Sequence, residues 1–217
     1  MKQRYRNIFM AFVMACAFAA TGNAAAILGR TLDVTTDKAC YTPGQTVRFS
    51  LSGTMPTNTF VRYRHGATVV ETAKLTASEW TWQPPMIDYQ GYLAELFTTD
   101  GNGTETIVGT IAVDVSSEWT RFPRYGFVAD FDNYNHSVDK DANIKTEMAY
   151  LNRLHINGVQ FQDWQWMHHK PVKFTADGSL DPWYQDISNR WVGVEYVKKY
   201  IAEQHSYGMK SIFYDLC

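Results

Sequence analysis

The spacing of apolar residues changes period once along the chain. From residue 27 to 118 apolar positions alternate with polar ones or bunch in short runs. Thr31–Thr36 is a β-branched stretch, and Val47, Phe49 and Leu51 fall on one side of a strand whose other side is polar. Phe60–Arg64, Ala67–Leu75, Trp80–Gln83, Tyr92–Thr99 and Thr106–Val115 follow, separated by Gly, Pro, Asn and Asp. Tyr41-Thr42-Pro43-Gly44-Gln45 has turn chemistry, with Pro presetting φ. Asp100-Gly101-Asn102-Gly103 reads as a hairpin turn. About seven short strands within about 90 residues predict an immunoglobulin-like β-sandwich.

Past the segment 119–124, read as a linker, the period lengthens. Tyr125–Phe131 is a compact apolar strand. Asp139–His155 places Ile144, Met148, Leu151 and Leu154 on one helical face; Asp139 or Asp141 can cap its start, and Asn157-Gly158 can close its end. Val159–Gln162 is a second strand, Asp163–Arg190 a long loop, and Val194–Tyr207 a second helix that buries Val194, Val197 and Ile201 and stops at Gly208. Met209–Tyr214 is a third strand. Strand–helix–strand–helix–strand predicts a parallel sheet with right-handed crossovers over residues 125–217.

The N-terminus adds a compartment. Lys2, Arg4 and Arg6 precede an apolar run from Ile8 to Ala20 and then small residues at Gly22, Ala24, Ala25 and Ala26, the layout of a secretory signal peptide over 1–26. The apolar run is shorter than the roughly 20 residues a bilayer crossing takes. Export is expected, to the periplasm, the medium or the cell surface, with lipoprotein processing at Cys16 as the rival reading. Beyond the leader lie only Cys40 and Cys217, in different predicted domains, so no disulfide is expected.

The chain has 217 residues, 45% hydrophobic and 15% aromatic, which excludes a disordered protein. A formal net charge of −2 gives nucleic acid no basic stripe to bind, and removing the leader takes away three cations and no acid. The length cannot hold a closed α/β barrel together with anything else, since a barrel takes about 250 residues. Seven Trp and thirteen Tyr suit either core filling or stacking against sugar rings.

The densest chemistry lies in Gln160-Phe161-Gln162-Asp163-Trp164-Gln165-Trp166-Met167-His168-His169-Lys170-Pro171, where the second parallel strand runs into its loop. Ligands collect at that edge of α/β sheets. Asp163 can accept from sugar hydroxyls or cap its loop, and Trp164 and Trp166 can act as platforms or fill core. His168 and His169 have no third ligand at a metal-binding spacing, so no metal and no cofactor is expected. Asp130 and Asp132, after the first parallel strand, either face the same mouth or serve a turn. Asp139-Lys140-Asp141-Ala142-Asn143 imitates an EF-hand start, but Ile144 stands where the loop needs Gly and Tyr150 where it needs Glu. Trp183 and Tyr184 are further contact candidates.

Tyr125-Gly126-Phe127-Val128 with Asp130-Phe131, the run His155–Trp164, His168-His169-Lys170-Pro171, Asp186-Ile187-Ser188-Asn189-Arg190 and His205–Lys210 together resemble glycoside hydrolase family 66. Those enzymes are endo-dextranases and cycloisomaltooligosaccharide glucanotransferases. The resemblance implies a signal peptide, an immunoglobulin-like domain and then a (β/α)8 TIM barrel, of which this chain would hold three strands and two helices. It implies cleavage of α-1,6-glucosidic bonds with retention, which needs two carboxyl groups about 5–5.5 Å apart. The family's nucleophile and acid/base lie on later barrel strands, beyond the position matching Cys217. The expected substrate-binding residues are therefore Asp163, Trp164, Trp166, His168, His169, Asp130 and Asp132, facing dextran or isomaltooligosaccharides. The 217 residues alone would be the N-terminal portion of a retaining endo-dextranase, without hydrolytic activity. The rivals are the glucanotransferase of the same family and a non-catalytic glucan-binding surface protein.

Overall fold

The computed structural model describes residues 32–133 and 139–214; the leader, Cys16, residues 134–138 and Cys217 lie outside the described residues. The chain divides into two compact units that interleave along the sequence. One takes the chain through Thr35, then Ser50–Trp80 and Leu93–Ala112; the other takes Thr36–Phe49, Thr81–Tyr92 and the chain from Val113 onward.

Among the described residues, seven strands precede residue 118: β1 Asp33–Thr36, β2 Val47–Ser52, β3 Thr59–His65, β4 Thr68–Lys74, β5 Glu79–Trp82, β6 Gln90–Thr99 and β7 Glu105–Val115. They form a three-stranded sheet in the order β1-β2-β5 and a four-stranded sheet in the order β4-β3-β6-β7. The alternation read in β2 is realised, with Val47, Phe49 and Leu51 buried and the residues between them exposed. Strand β3 pairs antiparallel with β4 and β6, and its register with β4 shifts between Tyr63 and Arg64. That bulge sits beside an edge strand, where irregularity discourages further pairing. On β3, Arg62 bridges Glu95 at 3.1 Å and Glu105 at 2.9 Å, and Arg64 bridges Glu95 at 2.8 Å. Opposite charges directly across a strand pair help fix register. The turn between β6 and β7 is closed by Asp100, whose carboxylate accepts from Asn102 N and Thr104 N.

After a single 3₁₀ turn at Trp119–Arg121 come β8 Tyr125–Val128, helix α1 Lys140–Arg153, β9 Gly158–Phe161, β10 Trp183–Gln185, β11 Trp191–Gly193, helix α2 Val194–Ser206 and β12 Lys210–Phe213. The expected parallel sheet forms in the order β12-β9-β8, with both pairings parallel. Its core joins Val128, Val159 and Phe161 from the strands to Ile144 and Met148 of α1 and Val197 and Tyr200 of α2. Phe131 stacks on Phe161 at 5.6 Å, and Tyr200 meets Phe131 edge-on at 5.8 Å. The Tyr200 hydroxyl donates to Glu147 at 2.6 Å, and burial first, then that carboxylate, pushes its pKa up. Segment 119–124 is tightly held: Arg124 N donates to Asn157 Oδ1 at 2.9 Å, and its guanidinium pairs with Asp114.

Three expectations need correction. The first parallel strand ends at Val128, because Phe131 turns into the core and Asp130 turns to α1. Helix α1 is closed by His155, at φ +57, one residue after its C-cap Leu154, and Leu154 is exposed. Asn157 and Gly158 instead open β9, where the Asn157 side chain donates to Phe122 O at 2.8 Å. The long loop 163–190 contains the hairpin strand β10, which pairs antiparallel with β11. Of the two caps expected for α1, Asp139 or Asp141, the cap is Asp139, which accepts from Ala142 N at 3.0 Å. Gly208 ends α2 at φ +75, in the left-handed region that glycine enters without a Cβ penalty.

Candidate functional site

The C-terminal end of β9 carries the site. Gln162 N donates to Val128 O at 2.8 Å, which carries the strand pairing one residue past Phe161. Asp163 then turns the chain at φ +49. Its carboxylate is held from two sides: Gln162 Nε2 donates to Oδ1 at 2.8 Å, and Arg190 Nη2 lies 3.7 Å from Oδ2. Gln160 Nε2 donates in turn to Gln162 Oε1 at 3.1 Å. Asp163 is thus partly exposed, fixed, and still able to accept further hydrogen bonds, because a carboxylate offers about four acceptor positions.

The two tryptophans of the loop differ. Trp164 is 7% exposed and belongs to the core. Its ring stacks on Phe213 at 5.0 Å with planes 24° apart, and its Nε1 donates to Tyr214 O at 3.2 Å. Its expected role as a sugar platform is corrected to core filling, because both the ring face and the indole N–H are already partnered. Trp166 is half-buried and lines an open cleft of about 540 Å³ with His169, Lys170, Pro171, Val172 and Phe174. The cleft is framed by backbone: Trp166 N donates to Pro171 O at 3.1 Å, and Met167 and Lys170 exchange two hydrogen bonds. His168 and His169 therefore occupy the tip of a two-residue turn, both exposed.

Buried Tyr184 latches this turn from below. Its hydroxyl lies 3.1 Å from Trp164 O and 3.3 Å from Pro171 O and shares its one proton between these two carbonyls, and burial raises its pKa, with Asp186 adding to the effect. That is a framing role, not the substrate contact considered for it. Trp183 meets Tyr196 edge-on at 5.9 Å beside Gly193, where a Cβ would come within 2.8 Å of both rings.

After β8, Asp130 has an exposed carboxylate that pairs with buried Lys140 at 2.8 Å and accepts from Asp132 N at 3.1 Å. Asp132 is half-buried. Of the two readings left open for Asp130, these contacts are those of a turn tied to the start of α1. Among the described residues no group of three His, Cys, Asp or Glu is placed to hold a metal ion.

Sequence reading missed Gln165, Asp186 and Arg190. Gln165 is completely buried, and both polar atoms of its side chain lack a protein partner. Asp186 accepts at Oδ1 from Ser188 N at 2.8 Å and Arg190 N at 2.9 Å, and at Oδ2 from Arg190 Nε at 2.8 Å. The signal was present as an Asp four residues before an Arg in a turn-rich stretch. Its target, Asp163, lies 27 residues earlier and cannot be found from local spacing.

A parallel sheet with two flanking helices, and a fixed carboxylate and an aromatic-lined cleft in the loop after its central strand, is the layout of an α/β protein whose ligand site would lie in that loop. The model of the glycosyl hydrolase family 66 matches residues 36–217. A cycloisomaltooligosaccharide glucanotransferase from Niallia circulans is 30% identical over 83% of this chain and 19% of its own length. A dextranase from Streptococcus salivarius is 25% identical over 70% of this chain and 18% of its own. A solved Paenibacillus sp. cycloisomaltooligosaccharide glucanotransferase, complexed with cycloisomaltoheptaose, superposes with a TM-score of 0.70 at 28% identity, covering 86% of this chain and 28% of that one. The chain belongs to glycosyl hydrolase family 66, and it spans about a fifth of the length of the curated relatives it matches.

Proposed function

We propose that these residues form the N-terminal part of an exported, retaining endo-dextranase acting on α-1,6-glucan, and that the loop after β9 contributes to its glucan groove. Residues 1–26 are the signal peptide, with Cys16 lipidation as the rival; 27–118 are an immunoglobulin-like β-sandwich; 119–124 are the linker; 125–217 supply the first three strands and two helices of a (β/α)8 barrel. The observation that carries this reading is the open cleft lined by half-buried Trp166 and exposed His169, in the same loop after β9 that holds the fixed Asp163 carboxylate. An aromatic face with donors and acceptors at its rim suits a pyranose ring, which has apolar faces and an equatorial belt of hydroxyls. Asp163, Trp166, His168 and His169 are the proposed contacts.

The retaining carboxylate pair belongs to barrel strands outside these 217 residues, so on their own they bind glucan and do not cleave it. The test is to incubate the purified chain with dextran and follow both retardation in a dextran-containing native gel and release of isomaltooligosaccharides. Retardation without release is expected; sustained release would overturn the claim of inactivity. A second reading, the glucanotransferase of the same family, is favoured by the 30% and 26% identities to two Niallia circulans enzymes of that name. Product analysis on the whole enzyme separates the two: linear oligosaccharides support the dextranase, cyclic ones the transferase.

A further inference from the structure

We propose that Arg190 is a positioning residue for glucan recognition: anchored on Asp186, it holds Asp163 in place at the C-terminal end of β9. The inference rests on the reading of that loop as a glucan-binding surface.

The anchor is Asp186, whose side chain is 1% exposed. Its two oxygens take three hydrogen bonds, two from backbone N–H groups of its own turn and one from Arg190 Nε. A carboxylate buried this deeply is tolerated because its charge is paired and both of its oxygens accept hydrogen bonds. The bond from Nε ties the guanidinium to this anchor. Its Nη2 then donates to Asp163 O at 3.1 Å and sits 3.7 Å from Asp163 Oδ2.

Asp163 needs such a hold. At φ +49 it occupies a left-handed conformation that a non-glycine residue keeps only where its surroundings over-determine it. The carbonyl contact from Arg190 fixes the backbone, and Gln162 Nε2 fixes Oδ1 from the other side. What remains is a carboxylate with a set direction and free acceptor capacity, 30% exposed. A sugar hydroxyl that meets it loses little to reorganisation, which is how a preorganised contact gains affinity. Arg190 is itself 42% exposed. At such exposure its ion pair with Asp163 adds little to folding stability, whereas its pair with buried Asp186 does contribute, so the contact with Asp163 acts on that residue's placement.

The test uses the 217-residue chain and its retardation in dextran gels, with Arg190→Met, Arg190→Lys, Asp163→Asn and the Arg190→Met/Asp163→Asn double variant. Circular dichroism and melting temperature check folding; Arg190→Lys carries the comparison if Arg190→Met does not fold. Arg190→Met and Asp163→Asn are each expected to weaken retention roughly tenfold, about the loss of one charge-assisted hydrogen bond. The double variant should be no weaker than Asp163→Asn alone, because both changes remove one contact. Arg190→Lys should fall between, since an ammonium cannot serve three acceptors in one plane. Wild-type retention by Arg190→Met, or single effects that multiply in the double variant, would overturn the proposal while leaving the glucan-binding reading standing. A wild-type chain with no retention would overturn both.

Discussion

Trp164 and Trp166 are two residues apart and meet opposite fates. Trp164 enters the core against Phe213, whereas Trp166 keeps part of its ring in the cleft. Trp164→Ala should therefore cost about 3–5 kcal/mol of stability in urea unfolding, the range for a large aromatic removed from a packed core. Trp166→Ala should cost markedly less and yet reduce dextran retention more per unit of stability lost. His155 sets a pH dependence. It is buried, its Nε2 lacks a protein partner, and desolvation is the main cause of its lowered pKa. A histidine that resists protonation when folded but titrates normally, near 6.5, when unfolded favours the unfolded state as acid is added. Its contribution is fully present above pH ~6.5, declines as pH falls below that value, and stops declining below the folded-state pKa. His155→Asn, which tolerates the φ of +57, should flatten the loss of stability between about pH 6.5 and 5 relative to wild type. Urea midpoints across that range would show it.

Elements with a strong period were legible in the sequence, and those made by distant contacts were not. The alternation of Val47, Phe49 and Leu51 and the helical spacing of Ile144 and Met148 both reach the core as read. Strands β10 and β11 were invisible because three residues are too few to show a period, and their turn depends on one carboxylate, that of Asp186. The end of α1 was misplaced because His155 takes the left-handed conformation that sequence rules reserve for Gly or Asn. In the candidate site, residue types marked Asp163 and Trp166, but the partners Arg190 and Gln162 are fixed only by folding. Capping was legible: Asp139→Ala removes the bond to Ala142 N and should cost about 1 kcal/mol. Gly193→Ala drives a Cβ into Trp183 and Tyr196 and should cost about 1–3 kcal/mol, both measured by urea unfolding.

At the scale of the molecule, the parallel sheet has two outer strands, β8 and β12, each paired on one side only among the described residues. Tyr125 and Phe127 on β8 are 64% and 67% exposed, and Phe213 on β12 is 57% exposed. Amides of β8 and β12 should then exchange with deuterium faster than those of β9, which pairs on both sides. Equal protection across the three strands would show that the outer edges are covered in the isolated chain. The most direct test is native electrophoresis of the chain and its Trp166→Ala variant in gels with and without dextran. Retardation of the wild-type chain by dextran, lost in the folded variant, is the result predicted. Equal mobility of the wild-type chain in both gels would contradict it.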